Sequence, residues 1–314
     1  IYFRFRRRMQ MEIVMPLSRL SCLRATGAVL LCLLSWGSAC AQIQVLDDSG
    51  QPVVLEEPAS RVVSLAPHIT ELLFAVGAGE AVTGASEYSD YPVAAQSILR
   101  VSGGSGVDLE AILALQPELV IAWGSGTPAG HVHRLRQLGI PVFVSEPRVM
   151  ADIASSLERL GRLTGHDNDA ARVIRSFRKR HRGLHERYAG RPQVRVFYQI
   201  WQQPLMTING YDIVSDFIRL CGGINIFADL PELAPAVSLE SVLQRDPEVI
   251  IAGSDAGDPP ALMALWQRWP DISAVQGGHL HTIQRELLVR HTPRILDGAE
   301  QMCEILESAR QAEK

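Results

Sequence analysis

One stretch of this 314-residue chain occurs twice. Val107-Asp-Leu-Glu-Ala-Ile-Leu-Ala-Leu-Gln-Pro-Glu-Leu-Val-Ile-Ala122 aligns without gaps on Val237-Ser-Leu-Glu-Ser-Val-Leu-Gln-Arg-Asp-Pro-Glu-Val-Ile-Ile-Ala252, 130 positions further on, with eight of sixteen residues identical. Each copy opens on a helix-capping residue, Asp108 or Ser238, and places a glutamate, Glu110 or Glu240, in the first turn, where the helix dipole favours an anion. A proline, Pro117 or Pro247, then stops the helix before a run rich in β-branched residues. A duplicated helix-to-strand unit predicts two lobes of related α/β fold.

The surrounding pattern agrees. In the first half, short apolar runs at Arg61–Leu65, Val82–Gly84, Glu118–Trp123 and Pro141–Val144 read as strands, with helices at Ile69–Val76, Asp108–Leu115 and His131–Leu138 between them. Near-continuous apolar strands separated by helices mark buried parallel strands in βαβ units. From Asp167 to Tyr188 there is no proline and one glycine, and Ala170, Val173, Ile174, Phe177, Leu184 and Tyr188 recur at helical spacing. This predicts a single helix of roughly 33 Å, long enough to join two lobes. Alternation then resumes: strands at Val194–Ile200 and Val249–Ala252, helices at Ile213–Leu220, Leu239–Gln244, Leu262–Trp269 and Pro293–Glu307. The expected fold is α/β: two Rossmann-like lobes with mainly parallel central sheets, residues 42–166 and 190–314, joined by one long helix at 167–189.

The first 41 residues read as an export signal with extra upstream residues. Arg19 and Arg24 precede the apolar run Ala25–Trp36, and Ala39-Cys40-Ala41 supplies the small residues of a cleavage site. The run falls short of the ~20 residues that span a bilayer. A periplasmic location follows; a lipid-carrying Cys40 is the competing reading, weakened by Gly37 where such signals carry leucine. Cutting after Ala41 removes six Arg and one Glu, a net +5, and takes the formal charge from −4 to −9. An acidic chain does not suit the nucleic-acid backbone as a partner. Cys221 and Cys303 remain as an even pair, which in an oxidising compartment forms one disulfide or stays as two buried thiols. The phosphate-loop, zinc-protease and nucleophile-elbow motifs are all missing from the sequence, so the commonest hydrolase classes give way to binding.

Four segments carry a family resemblance: Arg61-Val-Val-Ser-Leu-Ala-Pro-His-Ile-Thr-Glu-Leu-Leu-Phe-Ala-Val-Gly77, Tyr88-Ser-Asp-Tyr-Pro92, the Asp108–Trp123 block, and Cys221-Gly-Gly-Ile-Asn225. They resemble the periplasmic substrate-binding proteins of ABC importers for cobalamin and iron chelates, most closely the cobalamin-binding branch at Tyr88–Pro92 and Ile121–Trp123. The resemblance covers about residues 43–307. It implies two Rossmann-like lobes on a backbone helix, little movement on ligand binding, and no catalysis or catalytic cofactor. The implied partners are cobalamin or a related chelate and a membrane permease with its ATPase subunits; the receptor itself is expected to be monomeric.

Carried over residue by residue, the resemblance makes Tyr91 and Trp123 cleft aromatics and Glu286-Leu-Leu-Val-Arg290 the ligand loop of the second lobe. It makes Glu110 and Glu240 the pair that docks on permease arginines, and pairs Cys221 with Cys303. A flat corrin with amide side chains needs aromatic faces and a few rim donors. The chain departs from the pattern at Val101-Ser-Gly-Gly104 and at Ala234, where the cobalamin-binding branch has tryptophans. Trp201, at the end of a strand, is a candidate replacement. A ferric-siderophore or haem receptor is the runner-up, and Arg148, Arg290 and Arg294 are the cations it would use.

Two further readings compete. Gly124-Ser-Gly126-Thr-Pro-Ala129 follows a strand and opens a helix, with Glu146 twenty residues after Gly126, so an NAD-dependent enzyme is the rival class. Nine histidines invite a metal reading, but the pairs His131/His133, His181/His185 and His279/His281 lack the three or four converging ligands a site needs, and no metal site is assigned. His68, in the first strand-to-helix turn, is the best single candidate to touch a bound chelate. Trp266 and Trp269 are read as packing residues.

Overall fold

A computed structural model of the chain describes residues 42–104, 106–254 and 264–312. The export signal with Cys40 and the start of the expected Leu262–Trp269 helix lie outside the described residues.

The two copies of the repeat fold alike, down to their ion pairs. In the first, Asp108 accepts the Ala111 N–H at 2.9 Å and starts α2, Leu109–Ala114; in the second, Ser238 accepts the Ser241 N–H at 3.2 Å and starts α7, Leu239–Arg245. Each unit leaves its helix through a residue of positive φ, Gln116 at 47° and Asp246 at 41°. Each then enters a strand, β7 (Leu119–Trp123) or β11 (Val249–Ser254). An arginine of the preceding strand region caps each turn: Arg61 Nε donates to Gln116 O at 2.8 Å, and Arg195 Nε donates to Asp246 O at 2.9 Å. The glutamate after each proline closes the clasp, with Glu118 accepting the Ser60 and Arg61 N–H groups and Glu248 accepting that of Arg195. Exposed ion pairs of this kind contribute little stability. They do fix where each central strand begins.

Those strands build two sheets. The first contains β3 (Val62–Ser64), β4 (Val82–Ser86), β5 (Leu99–Gly103), β6 (Gly106–Val107), β7 and β8 (Val142–Ser145), in the order β6-β5-β4-β3-β7-β8. Its neighbours are parallel except for β5–β6. The second contains β9 (Val194–Gln199), β10 (Gly223–Asn225), β11 and β12 (Leu280–Gln284), in the order β10-β9-β11-β12, all parallel. A hairpin of β1 (Ile43–Leu46) and β2 (Pro52–Leu55) precedes them. Helices complete the lobes: α1 (Pro67–Ala75), α3 (Ala129–Gln137), α4 (Met150–Thr164), α5 (Asp167–Tyr188), α6 (Ile213–Leu220), α8 (Ser273–Gln276), α9 (Glu286–Val289) and α10 (Ile295–Ala312).

Helix α5 has the 22 residues read from the sequence and buries Ala170, Ile174, Phe177, Leu184 and Tyr188 along one side. That side joins a single apolar cluster that includes Val62, Leu119 and Phe143 of the first sheet and Val196, Val249 and Ile251 of the second. The joining helix is therefore packed along its length, which stiffens the connection between lobes. The disulfide Cys221–Cys303 ties the end of α6 to α10.

The structure also differs from the sequence reading. It adds α4, whose Ile153, Leu157 and Leu160 are fully or almost fully buried at helical spacing. Gly161 permits α4 to meet α5, because a Cβ there would lie 2.5 Å from the Ala170 Cβ. It replaces the described end of the expected Leu262–Trp269 helix with a 3-10 turn, Trp266–Arg268, ahead of Pro270. Trp266 is a packing residue as read: it is fully buried and donates its indole N–H to Gln199 Oε1 at 2.7 Å.

Candidate functional site

In parallel α/β sheets ligands bind beyond the carboxyl ends of the strands, and here those ends feed the loops that carry the candidate residues. Strand β3 runs through Ala66 into α1, which presents His68 and Glu71 from a mostly apolar helix. Strand β7 ends at Trp123. The turn after it is tight because Gly126 has no side chain: a Cβ there would lie 1.9 Å from the indole ring. The Trp123 N–H donates to Thr127 Oγ1 at 3.0 Å, and the half-buried indole meets the His68 ring edge-to-face, 5.6 Å between centroids.

His68 in turn meets His291 at 5.9 Å, and His291 comes from the segment after β12 in the second sheet. Burial, then the neighbouring His291 and Arg290, push the His68 pKa down to about 3. Burial likewise lowers His291 to about 4, with Asp152 opposing. Both rings are thus uncharged at neutral pH. Among the described residues, the buried Nε2 of His68 has no hydrogen-bond partner.

Beside the histidines lies an ion cluster that crosses from one sheet to the other. Glu71, with a side chain only 2% exposed, accepts from Arg290 Nη1 at 2.9 Å, Arg294 Nη2 at 2.7 Å, Arg294 Nε at 3.0 Å and Thr292 Oγ1 at 3.1 Å. Arg290 also donates to Asp90 at 2.7 Å, to Glu286 at 2.9 Å and to the Tyr88 carbonyl at 3.2 Å. Burial alone would lower the Arg290 pKa, but the hydrogen bonds to Asp90 and Glu71 outweigh it and hold it above its ordinary value. Asp90 moves the other way: burial would raise it, and Arg290 brings it below the usual carboxylate range. Arg294 completes the wall by laying its guanidinium 3.6 Å over the Tyr91 ring, a cation–π contact.

The structure therefore gathers His68, Tyr91, Trp123, Glu286 and Arg290 into one linked cluster between the sheets. Trp201 follows the carboxyl end of β9, 56% exposed, with its indole N–H donating to Gln203 O at 2.9 Å. Glu110 and Glu240 are both exposed in the first turns of α2 and α7. Arg290 is not a free donor, since carboxylates surround it, and Arg294 is likewise engaged. Glu71, Asp90, His291 and Thr292 were not among the residues read from sequence. The available signal was Glu71 itself, a lone carboxylate among Ile69, Leu72 and Leu73, since a charge on an apolar helix face requires a cation partner.

The dinucleotide fingerprint has another explanation. Glu146 accepts the Ser125 N–H at 2.7 Å, and a Cβ on Gly124 would lie 2.7 Å from the same carboxylate. The acidic residue that would hold a ribose instead closes its own turn, and Gly126 makes room for Trp123, so Gly124 and Gly126 serve local packing, while Ala129 is exposed at the start of α3. Rings of His279 and His281 stack at 6.2 Å, and His133 Nε2 lies 2.9 Å from Gln137 Nε2. No group of three or more His, Cys, Asp or Glu placed to hold a metal ion is found among the described residues.

With this geometry in place, comparison with known proteins is informative. Residues 62–287 match the periplasmic binding protein family. A vitamin B12-binding protein of Vibrio parahaemolyticus serotype O3:K6 is 36% identical over 254 residues, covering 81% of this chain and 92% of the relative. One from Vibrio cholerae serotype O1 is 38% identical over 253 residues, with 80% and 91% covered. The crystal structure of the periplasmic vitamin B12-binding protein of Vibrio cholerae superposes with a TM-score of 0.74 at 37% identity, covering 81% of this chain and 98% of that one. A periplasmic haem-binding protein solved with two haems shares the fold, with a TM-score of 0.72 at 18% identity.

Proposed function

The chain belongs to the periplasmic binding protein family, and from that premise we propose that it captures cobalamin, or a related corrinoid, in the cleft between its two sheets. It then delivers the ligand to the permease of an ATP-driven importer. The observation that carries this reading is the meeting of loops from the two sheets: Arg294 lies over Tyr91, His291 meets His68 beside Trp123, and Arg290 bonds Asp90. A corrin is broad, flat and fringed with amides. Aromatic faces stack against its ring, and the part-exposed carboxylates of Asp90 and Glu286 accept from amide N–H groups. Binding is the family's task, and the chain turns over no substrate.

The same reading assigns residues 42–166 and 190–314 to the two lobes and 167–189 to the helix between them. It locates the working protein in the periplasm as a monomer, after removal of residues 1–41. Exposed Glu110 and Glu240, one in each copy of the repeat, are the permease-docking pair; the duplication supplies matched charges on both lobes. Two glycines at 103 and 104 and Ala234 leave a cleft with fewer stacking faces than the cobalamin-binding branch has, and Trp201 is the residue proposed to supply one.

A haem reading is second, and one observation favours it: the neutral His68 ring, whose Nε2 has no partner among the described residues, has the chemistry of an axial ligand. A siderophore reading is less favoured, because Arg290 and Arg294 are already engaged by Glu71. Calorimetric titration of the purified protein with cyanocobalamin, haemin and a ferric siderophore separates the three. Saturable one-to-one heat with cyanocobalamin is expected, and no binding of it removes the corrinoid reading.

A further inference from the structure

We propose that Glu71 is the positioning residue of the cleft: one buried carboxylate of the first sheet sets where the ligand loop of the second sheet stands. The proposal rests on the cleft reading above and adds a residue to it.

Glu71 sits on α1 between side chains with no solvent exposure, Ile69, Leu72 and Leu73. An ionised carboxylate in such a place persists only if its lone pairs are filled. Among the described residues, its four hydrogen bonds all come from one short segment of the second sheet's side of the chain, two from Arg294, one from Thr292 and one from Arg290. That segment runs from α9 into α10. It carries Arg290, which grips Glu286, and Arg294, which covers Tyr91. Both walls are therefore referred to the same group.

Exposure grades outward from it. The side chains of Glu71 and Arg290 are 2% and 10% exposed, whereas those of Glu286 and Asp90 are 32% and 48% exposed. The outer carboxylates can turn toward ligand amides while Arg290 stays anchored from below. A buried ion pair is weak evidence for a gain in stability, because an apolar replacement of similar size is often as stable. What four directed bonds from one segment add is geometry, since each charge-assisted bond has a narrow range of distance and angle. Glu71 contributes a fixed loop and a fixed gap.

The test uses Glu71→Gln, Glu71→Asp and Thr292→Val in the purified protein. Two readouts are taken: cyanocobalamin affinity by calorimetry and amide hydrogen exchange across residues 285–294. For folded Glu71→Gln we expect affinity weakened about tenfold or more and faster exchange in that segment, with Glu71→Asp intermediate. Adding Arg290→Gln to Glu71→Gln should weaken binding no further than the poorer single variant, because Arg290 is already unplaced. Wild-type affinity and exchange in folded Glu71→Gln, or effects that simply add, overturn the proposal. Should Glu71→Gln fail to fold, Thr292→Val decides, since it removes one of the four bonds at nearly constant shape and its side chain is buried. Faster exchange and weaker binding support the proposal, and no change in either overturns it. If wild-type protein does not bind cyanocobalamin, the corrinoid reading fails, and the exchange measurement alone judges Glu71.

Discussion

The paired histidines His68 and His291 make a quantitative prediction about acid. His68 and His291 have folded pKa values of about 3 and about 4 because burial disfavours their charged forms. In the unfolded chain both return to about 6.5. Between the folded and unfolded values the unfolded state binds more protons, so stability rises with pH and is lost as pH falls below 6.5. At 1.36 kcal/mol per pH unit, each ring costs about 2 kcal/mol by pH 5, about 4 kcal/mol for the pair. That is a large share of a typical stability of about 5–15 kcal/mol. The perturbation is His68→Leu, which removes one titrating ring and a buried nitrogen without a partner among the described residues. Urea unfolding of wild type and variant at pH 7.5, 6 and 5 gives the two profiles, and their difference isolates His68 from the other ionisable groups. The variant should be no less stable at pH 7.5 and should lose about 2 kcal/mol less on going to pH 5. Parallel profiles would show that His68 is protonated in the folded protein, and the argument from burial would be wrong.

Charge reversal at both Glu110 and Glu240 should abolish cobalamin uptake by cells while leaving affinity in solution unchanged; a loss of affinity would instead make them cleft residues. Replacing Cys221 and Cys303 with serine should lower unfolding stability by about 4–5 kcal/mol on the chain-entropy estimate for a closed loop of this length, read by urea titration. An unchanged midpoint would mean the reduced chain is already constrained. Gly104 has room for a side chain, the nearest atom to a Cβ being Glu87 Oε2 at 4.0 Å, whereas at Gly103 the same carboxylate group would be 2.3 Å away. Gly104→Trp should therefore fold normally and tighten cyanocobalamin binding by restoring a stacking face, and weaker binding would argue against a corrin in this part of the cleft.

What could be read from sequence follows how local each determinant is. Helix α5 is set by its own spacing and by Gly190 and Pro192 beyond it, so its bounds, Asp167–Tyr188, are those of the sequence pattern. The duplicated unit is also local, and its capping residues act as read. The Cys221–Cys303 bond is suggested by an even pair of cysteines in an exported chain and again by the family resemblance, and the structure contains it. Glu71 escaped notice because its partners lie some 220 positions away, at Arg290, Thr292 and Arg294. Arg290 is singled out in the sequence but not as a bridge between the sheets, for the same reason. The fingerprint at Gly124 and Gly126 misleads because small residues in a strand-to-helix turn answer equally to a pyrophosphate and to a neighbouring indole; Trp123 is the neighbour here.

Crystals of the protein grown with cyanocobalamin would test the central claim most directly. The account predicts the corrin between the Tyr91 and Trp123 wall and the Glu286–Arg290 segment, with Glu71 still bonded to Arg290, Thr292 and Arg294. A corrin seated on another face, or a cleft left without ligand in protein that demonstrably binds it, would contradict the account.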